Sequence, residues 1–277
     1  MTTSADRPAI IAGIDGSDTA LGGAQWAAEF AASRALPLIL VHAIPKLEPG
    51  AGGQVLATAE AAVRSTHPEL EIQTAAVKGA VATALAEASH PARLLVVGAG
   101  DHRTLGGHAV KIAHRTHCPL VVWRKPVARR TGKPLPVVVG IDGSDDSTRA
   151  LAEAFDIAVA LHAPLMVVHM WEIGAAVGMG DLGGQGNMDW KLLDVLQSQQ
   201  RQRMDELVAP LARQYRNAHV DRVFQDVSPA KGLTDLSREA QLVVVGSHGR
   251  GKLADAIFGS VSQNLIHHAE CAVLVVR

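Results

Sequence analysis

The chain has 277 residues, 48% of them apolar and 19% charged, with a formal net charge of -1. The length suits two average domains, and the apolar share excludes a disordered chain. Near-neutral charge argues against a nucleic-acid or anionic-membrane binder, no apolar run approaches the ~20 residues of a bilayer span, and "MTTSADRPAI" lacks a signal-peptide layout, so a cytoplasmic protein is expected.

The first predicted elements lie in "AIIAGIDGSDTALGGAQWAAEFAASRALPLILVHAI", from Ala9 to Ile44. An apolar run leads into Gly-Ile-Asp-Gly-Ser-Asp, a helical stretch, a Pro and a second apolar run that meets a His. Further strands follow in "ARLLVVGAG" (Ala92 to Gly100) and "THCPLVVWR" (Thr116 to Arg124). The next segment, "RKPVARRTGKPLP", is rich in Pro and positive charge and reads as a solvated linker, with a boundary near Thr131.

From Val137 the pattern begins again: "VVVGIDGSDDSTRALAEAFDIAVALHAPLMVVHMW" repeats the opening, "AQLVVVGSHG" repeats the third run and "AECAVLVVR" the last. The repeat divides the chain into modules 1–130 and 131–277. In the second copy, strands are expected near 136–141, 164–170, 220–226, 241–246 and 272–276, and helices near 146–161, 191–216, 230–239 and 257–268. The Gly/Met-rich stretch from Gly174 to Trp190 reads as a linking loop, with a lid or contact surface as alternatives.

Alternating strands and helices predict an α/β fold of two tandem doubly wound parallel sheets of Rossmann-like type. Cys118 and Cys271 each precede a strand and read as buried free thiols rather than a disulfide framework.

In such sheets ligands sit beyond the carboxyl ends of the strands, at the switch point of strand order. After the first strand of the second copy come Asp142, Gly143 and Ser144. A carboxylate there accepts from a ribose hydroxyl or a base amino group; it, or Ser144, equally serves as a helix cap. After the fourth strand, "VVVGSHGRGKLADAIFGSV" nearly spells a P-loop, but Leu253 stands where the magnesium-binding Ser or Thr belongs. Gly246, Gly249 and Gly251 permit a close approach to an anion, and Gly259 and Ser260 open a helix whose amides and hydroxyl favour phosphate. Arg250 and Lys252 either add charge to that loop or face solvent.

The spacing Gly246-x2-Gly249-x9-Gly259-Ser260, with Asp142 upstream, resembles the ATP-binding signature of the universal stress protein family, in its tandem two-module form. That resemblance implies a fold of the adenine nucleotide α-hydrolase group, binding ATP, with or without Mg2+, and no P-loop. It further implies that Asp142, with Gly143 and Ser144, meets ribose and adenine, that His169 and Met170 frame the base, and that the segment near Val227 lines its other edge. Gly246, Ser247, Gly249, Arg250, Gly251, Gly259, Ser260 and Val261 hold the phosphates in that reading. Asp15, Gly16, Ser17 and Gly98 are their first-copy counterparts.

The same resemblance implies that the final strands pair antiparallel across a pseudo-twofold axis, with Cys118 and Cys271 roughly 15 Å apart at about 3.4 Å per residue. A homodimer and an unidentified regulatory protein partner are also expected from it.

The second site is expected to be the stronger. Between Gly98 and Cys118 the first copy is five residues shorter than the second; Asp101 replaces Gly249 and Gly106-Gly107 replaces Gly259-Ser260. The first copy should therefore hold a triphosphate at least about tenfold more weakly.

No nucleophile turn, metal spacing or carboxylate pair accompanies the glycine loop, and His267-His268, adjacent on a helix, diverge. The expected function is a nucleotide-dependent stress regulator with little or no hydrolysis. The alternative is an ATPase or phosphotransferase using the same second-module site.

Overall fold

In a computed structural model, residues 8–44, 52–99, 107–125, 134–171, 190–249 and 258–277 are described. The first module runs β1 (Ile10–Gly13), α1 (Asp18–Ser33), β2 (Leu38–Ile44), α2 (Gly53–Arg64), β3 (Ile72–Lys78), α3 (Val81–Ala88), β4 (Leu94–Gly98), α4 (Gly107–Arg115) and β5 (Leu120–Trp123). The second runs β6 (Val137–Gly140), α5 (Asp145–Ala160), β7 (Leu165–Met170), α6 (Trp190–Gln214), β8 (Val220–Gln225), α7 (Pro229–Leu236), β9 (Leu242–Gly246), α8 (Ser260–His268) and β10 (Ala272–Val276). The expected strands are found within one or two residues. The last helix begins at Ser260 rather than 257, because Gly259, with ψ 151° and its N–H on the Ser247 carbonyl, is the residue that turns the chain into it.

The strands form one ten-stranded sheet in the order β3-β2-β1-β4-β5-β10-β9-β6-β7-β8. Each module has the same doubly wound order, and every neighbouring pair is parallel except β5 with β10. Buried on both faces, the central strands are continuous runs of Val, Leu and Ile such as LVVVG in β9, as parallel sheets require. One face is covered by α1, α2, α5 and α6, packing Ala27, Phe30, Leu151, Phe155 and Val208. The other is covered by α3, α4, α7 and α8, packing Leu85, Ile112, Leu233 and Leu265. Both cores run without a break through both modules. No helix among the described residues is long and apolar enough to cross a membrane.

The β5–β10 seam pairs Val122 with Val273, Val121 with Leu274 and Leu120 with Val275. Cys118 and Cys271, both free and buried, therefore lie at opposite ends of the paired strands. The seam is clasped symmetrically: Arg124 donates to the Ile266 carbonyl of α8, and Arg277, its counterpart, donates to the Ala113 carbonyl of α4. Arg124 is thus not part of a solvated linker; burial pushes its guanidinium below the ordinary arginine value. Two ion pairs add to the join, Arg34–Asp156 and Arg93–Glu153, both at 2.6 Å. These two have no mirror mates, since Leu161 and Gln241 occupy the positions matching Arg34 and Arg93.

Candidate functional site

The order of strands in the second module reverses between β6 and β9, and the residues following those two strands converge there. Ile141 continues β6 by donating to the Val168 carbonyl, after which Gly143 takes a left-handed φ of 82° that an L side chain rarely adopts. That reversal folds Ser144 back onto Asp142: its N–H and hydroxyl donate to Asp142 Oδ1 at 2.9 and 2.6 Å. Ser144 Oγ in turn accepts from the Ser147 N–H at 3.2 Å and caps α5. Ser144 is therefore the cap of α5, and the Asp142 carboxylate lines a cavity.

The cavity measures about 230 Å³. Its walls include Asp142, Val168, Met170, Leu233, Ser247, Gly249, Gly259, Ser260 and Val261. Gly249 lies against the Asp142 carboxylate: a Cβ on it would stand 2.7 Å from Asp142 Oδ2. Gly246 also lines the cavity, yet its missing side chain serves packing, since a Cβ would meet Asp146 Cβ at 2.7 Å where α5 crosses β9. Gly98 does the same beneath α1, with Ala20 N at 2.8 Å. Across the cavity, Gly259 caps α8 and Ser260 stands exposed in its first turn, which contains no acidic residue. The unpaired amides and positive dipole end there face the same space and suit an anion. Arg250 and Gly251 lie outside the described residues.

Beneath the glycine loop lies a network that the sequence reading did not single out. Asp146, 8% exposed, accepts through Oδ2 from Ser247 Oγ at 2.7 Å and from the His248 N–H at 3.0 Å, with His248 Nδ1 at 3.2 Å. Arg149 donates to its Oδ1 at 2.6 Å. Burial works against the charge, but the Ser247 and His248 hydrogen bonds and Arg149 outweigh it and hold the carboxyl below its ordinary value. Ser247 Oγ also stands 2.9 Å from His248 Nδ1, so serine, histidine and aspartate form one hydrogen-bonded cluster gathered on the Asp146 carboxylate. The network fixes the start of the loop. Its signal was a difference between the repeats, Asp146 in one and Thr19 in the other.

His169 and Met170 part company. Met170 lines the cavity, whereas the His169 ring binds the Ile141 carbonyl at 2.7 Å through Nδ1 and packs 5.5 Å from Phe224. Successive strand residues face opposite sides, so only one of the pair reaches the cavity. His42 repeats the contact on Ile14 at 2.6 Å, so each histidine ties down the end of its module's first strand. Val227 is also outside the cavity wall; it packs over Gly232, behind Met170.

The first module repeats the entry geometry. Asp15 Oδ1 accepts from the Ser17 N–H at 2.9 Å and from its hydroxyl at 2.6 Å, and Gly16 has φ 86°. Gly98 and Asp15 line a cavity of about 290 Å³.

A carboxylate aligned for a diol, an apolar strip for a ring and an anion-favouring helix end thus surround the second cavity, a donor set that fits a nucleotide. Among the described residues no group of three or more His, Cys, Asp or Glu side chains is placed to hold a metal ion.

Against known proteins, the sequence model of the Universal stress protein family matches residues 7–124 and 135–277. The chain is 32% identical to a universal stress protein of Mycobacterium tuberculosis (strain H37Rv), over 97% of this chain and 96% of that protein. It is 31% identical to one of Mycolicibacterium smegmatis, over 100% and 99%. A crystal structure of a universal stress protein from Archaeoglobus fulgidus has the same fold, with TM-score 0.68 at 16% identity, covering 97% of this chain and 96% of that one.

Proposed function

The chain belongs to the universal stress protein family, and from that premise we propose that it is a nucleotide-dependent stress regulator that carries ATP in its C-terminal module. The observation that carries this reading is the cavity at the β6/β9 switch point, where Asp142, Gly249, Gly259 and Ser260 surround one space. Asp142 Oδ2 would accept from the ribose hydroxyls, Met170 and Leu233 would pack against the base, and the start of α8 with Ser260 would hold phosphate. Mg2+, where it enters, would arrive on the phosphates, since the described residues supply no cluster of carboxylates for it.

Regulation rather than turnover fits the site's chemistry. Asp146, beneath the glycine loop, is already engaged by Ser247, His248 and Arg149, and Asp142, beside Gly249, is given to the ribose in this reading, so neither is poised to take a proton from water. Hydrolysis should therefore fall far below the ~10 s⁻¹ typical of enzymes. A cytoplasmic homodimer acting on a protein partner completes the proposal.

The test is to denature purified chain and count the nucleotide it releases. About one ATP or ADP per chain is expected, and none from an Asp142→Ala, Gly249→Val double variant, in which the acceptor is gone and a branched side chain crowds the same space. Undiminished nucleotide in that variant would overturn the site assignment.

A further inference from the structure

The symmetry of the seam ends at Arg277. In the first module Gly22 lies under Trp123, where a Cβ would stand 2.1 Å from the indole. The second module has Arg149 and Val276 at those two positions. Arg149 turns the exchange into a bridge: its Nε donates to the Arg277 carbonyl at 2.8 Å, and a terminal nitrogen donates to Asp146 Oδ1 at 2.6 Å.

Arg277 is thereby joined to both described anchors of the glycine loop. Toward the start, Arg149 links it to Asp146, which holds Ser247 Oγ and the His248 N–H. The Ser247 N–H donates to the carbonyl of Val276, the residue before Arg277, at 2.7 Å. Toward the end, the Arg277 guanidinium lies over the Phe258 ring, 5.9 Å from its centre. Phe258 is 5% exposed and directly precedes Gly259 and Ser260, where α8 begins. The anchors also meet each other, with the Gly259 N–H on the Ser247 carbonyl at 2.8 Å.

The first module braces this assembly from behind. The Arg277 guanidinium donates to the Ala113 carbonyl, and the His114 ring packs 5.4 Å from the Phe258 ring, both from α4. A planar guanidinium suits the double task, offering its edge to a carbonyl and its face to an aromatic ring.

We propose that Arg277 is a positioning residue for the C-terminal site and that α4 of the first module supplies its seat. It acts through Phe258 and Arg149 rather than on the ligand, and it sets the spacing between Ser247-His248 and Gly259-Ser260. The phosphate side of the site therefore depends on the other module, whereas the ribose and base side, built from Asp142, Met170 and Leu233, does not. This inference rests on the proposed function for the identity of the ligand.

The test compares full-length Arg277→Ala with Arg124→Ala. Each removes one clasp of the seam, so both lose stability, but only the first touches Phe258. In nucleotide-free chain, hydrogen exchange of the Gly259 amide, measured against the amides of β9, should rise about tenfold in Arg277→Ala and keep its wild-type ratio in Arg124→Ala. His114→Ala, confined to the first module, should raise it about threefold through the lost ring contact. In calorimetric titration Arg277→Ala should bind ATP about tenfold more weakly with adenosine affinity unchanged, and Arg124→Ala should bind both as wild type does. Equal Gly259 exchange in the two arginine variants, or ATP and adenosine affinities that fall together in Arg277→Ala, would overturn the proposal. Wild-type chain that binds neither ligand refutes the nucleotide reading instead, and the exchange comparison then decides this one by itself.

Discussion

Asp146→Ala is the substitution that most directly probes how the site is held. Ser247 Oγ and the His248 N–H converge on one buried oxygen at 2.7 and 3.0 Å. The His248 N–H, left without that acceptor, costs about 1.5 kcal/mol, whereas Ser247 Oγ keeps His248 Nδ1 at 2.9 Å. The Arg149 ion pair, 54% exposed on the arginine side, adds at most about 1 kcal/mol. The total expected is about 2–3 kcal/mol, or a fall in melting temperature of about 4–6 °C at roughly 2 °C per kcal/mol for a chain of this size.

The pH dependence follows from the sign of the shift. The folded carboxyl lies below its ordinary value of 3.8, so its contribution is complete above that value and fades as pH falls through the folded one. Melting curves of wild type and variant should therefore differ fully at about pH 7 and draw together only once the pH has fallen below 3.8. Thr19→Ala, the matching change in the first module, should stay within about 1 kcal/mol. A variant that melts with wild type at neutral pH, or a gap that widens on acidification, would refute the reasoning.

His169→Ala should destabilise the fold by about 1–3 kcal/mol through the stranded Ile141 carbonyl while leaving ATP affinity intact; Met170→Ala should do the reverse, weakening retention on dialysis. The Cys271 thiol, pushed up to about 12 by burial, should resist iodoacetamide at pH 8 until the chain is unfolded, and mass mapping should show no Cys118–Cys271 bridge. Arg124→Ala should cost about 1–3 kcal/mol in urea denaturation, since it strands the Ile266 carbonyl at the seam, whereas substitution of a solvated linker arginine would cost nothing measurable.

Much of the fold was legible because the repeat, the strand–helix alternation and the turn at Gly143 are local in sequence. The convergence of Asp142 with Gly249 was legible for the same reason, since a doubly wound sheet has one place where loops after its first and fourth strands can meet. What escaped depended on orientation or on distant partners. His169 and Met170 are neighbours on β7, and the motif gives no sign of which one the pleat turns inward. Asp146 reads as an ordinary acid in the first turn of a helix, favourable to the dipole; its role appears only when β9 brings Ser247 beneath it. Arg124 reads as linker charge because the carbonyl it serves lies 142 positions away, across a seam that exists only after both modules fold.

That seam also governs where the two cavities look. A single antiparallel pair, β5 with β10, reverses the strand direction between modules, so the carboxyl ends of β1 and β4 lie along one rim of the ten-stranded sheet and those of β6 and β9 along the opposite rim. The two mouths are back to back. Whatever one cavity communicates to the other must pass through shared packing, along β5 and β10 and the helices clasped by Arg124 and Arg277, and a surface that engages one mouth leaves the other facing away into solution.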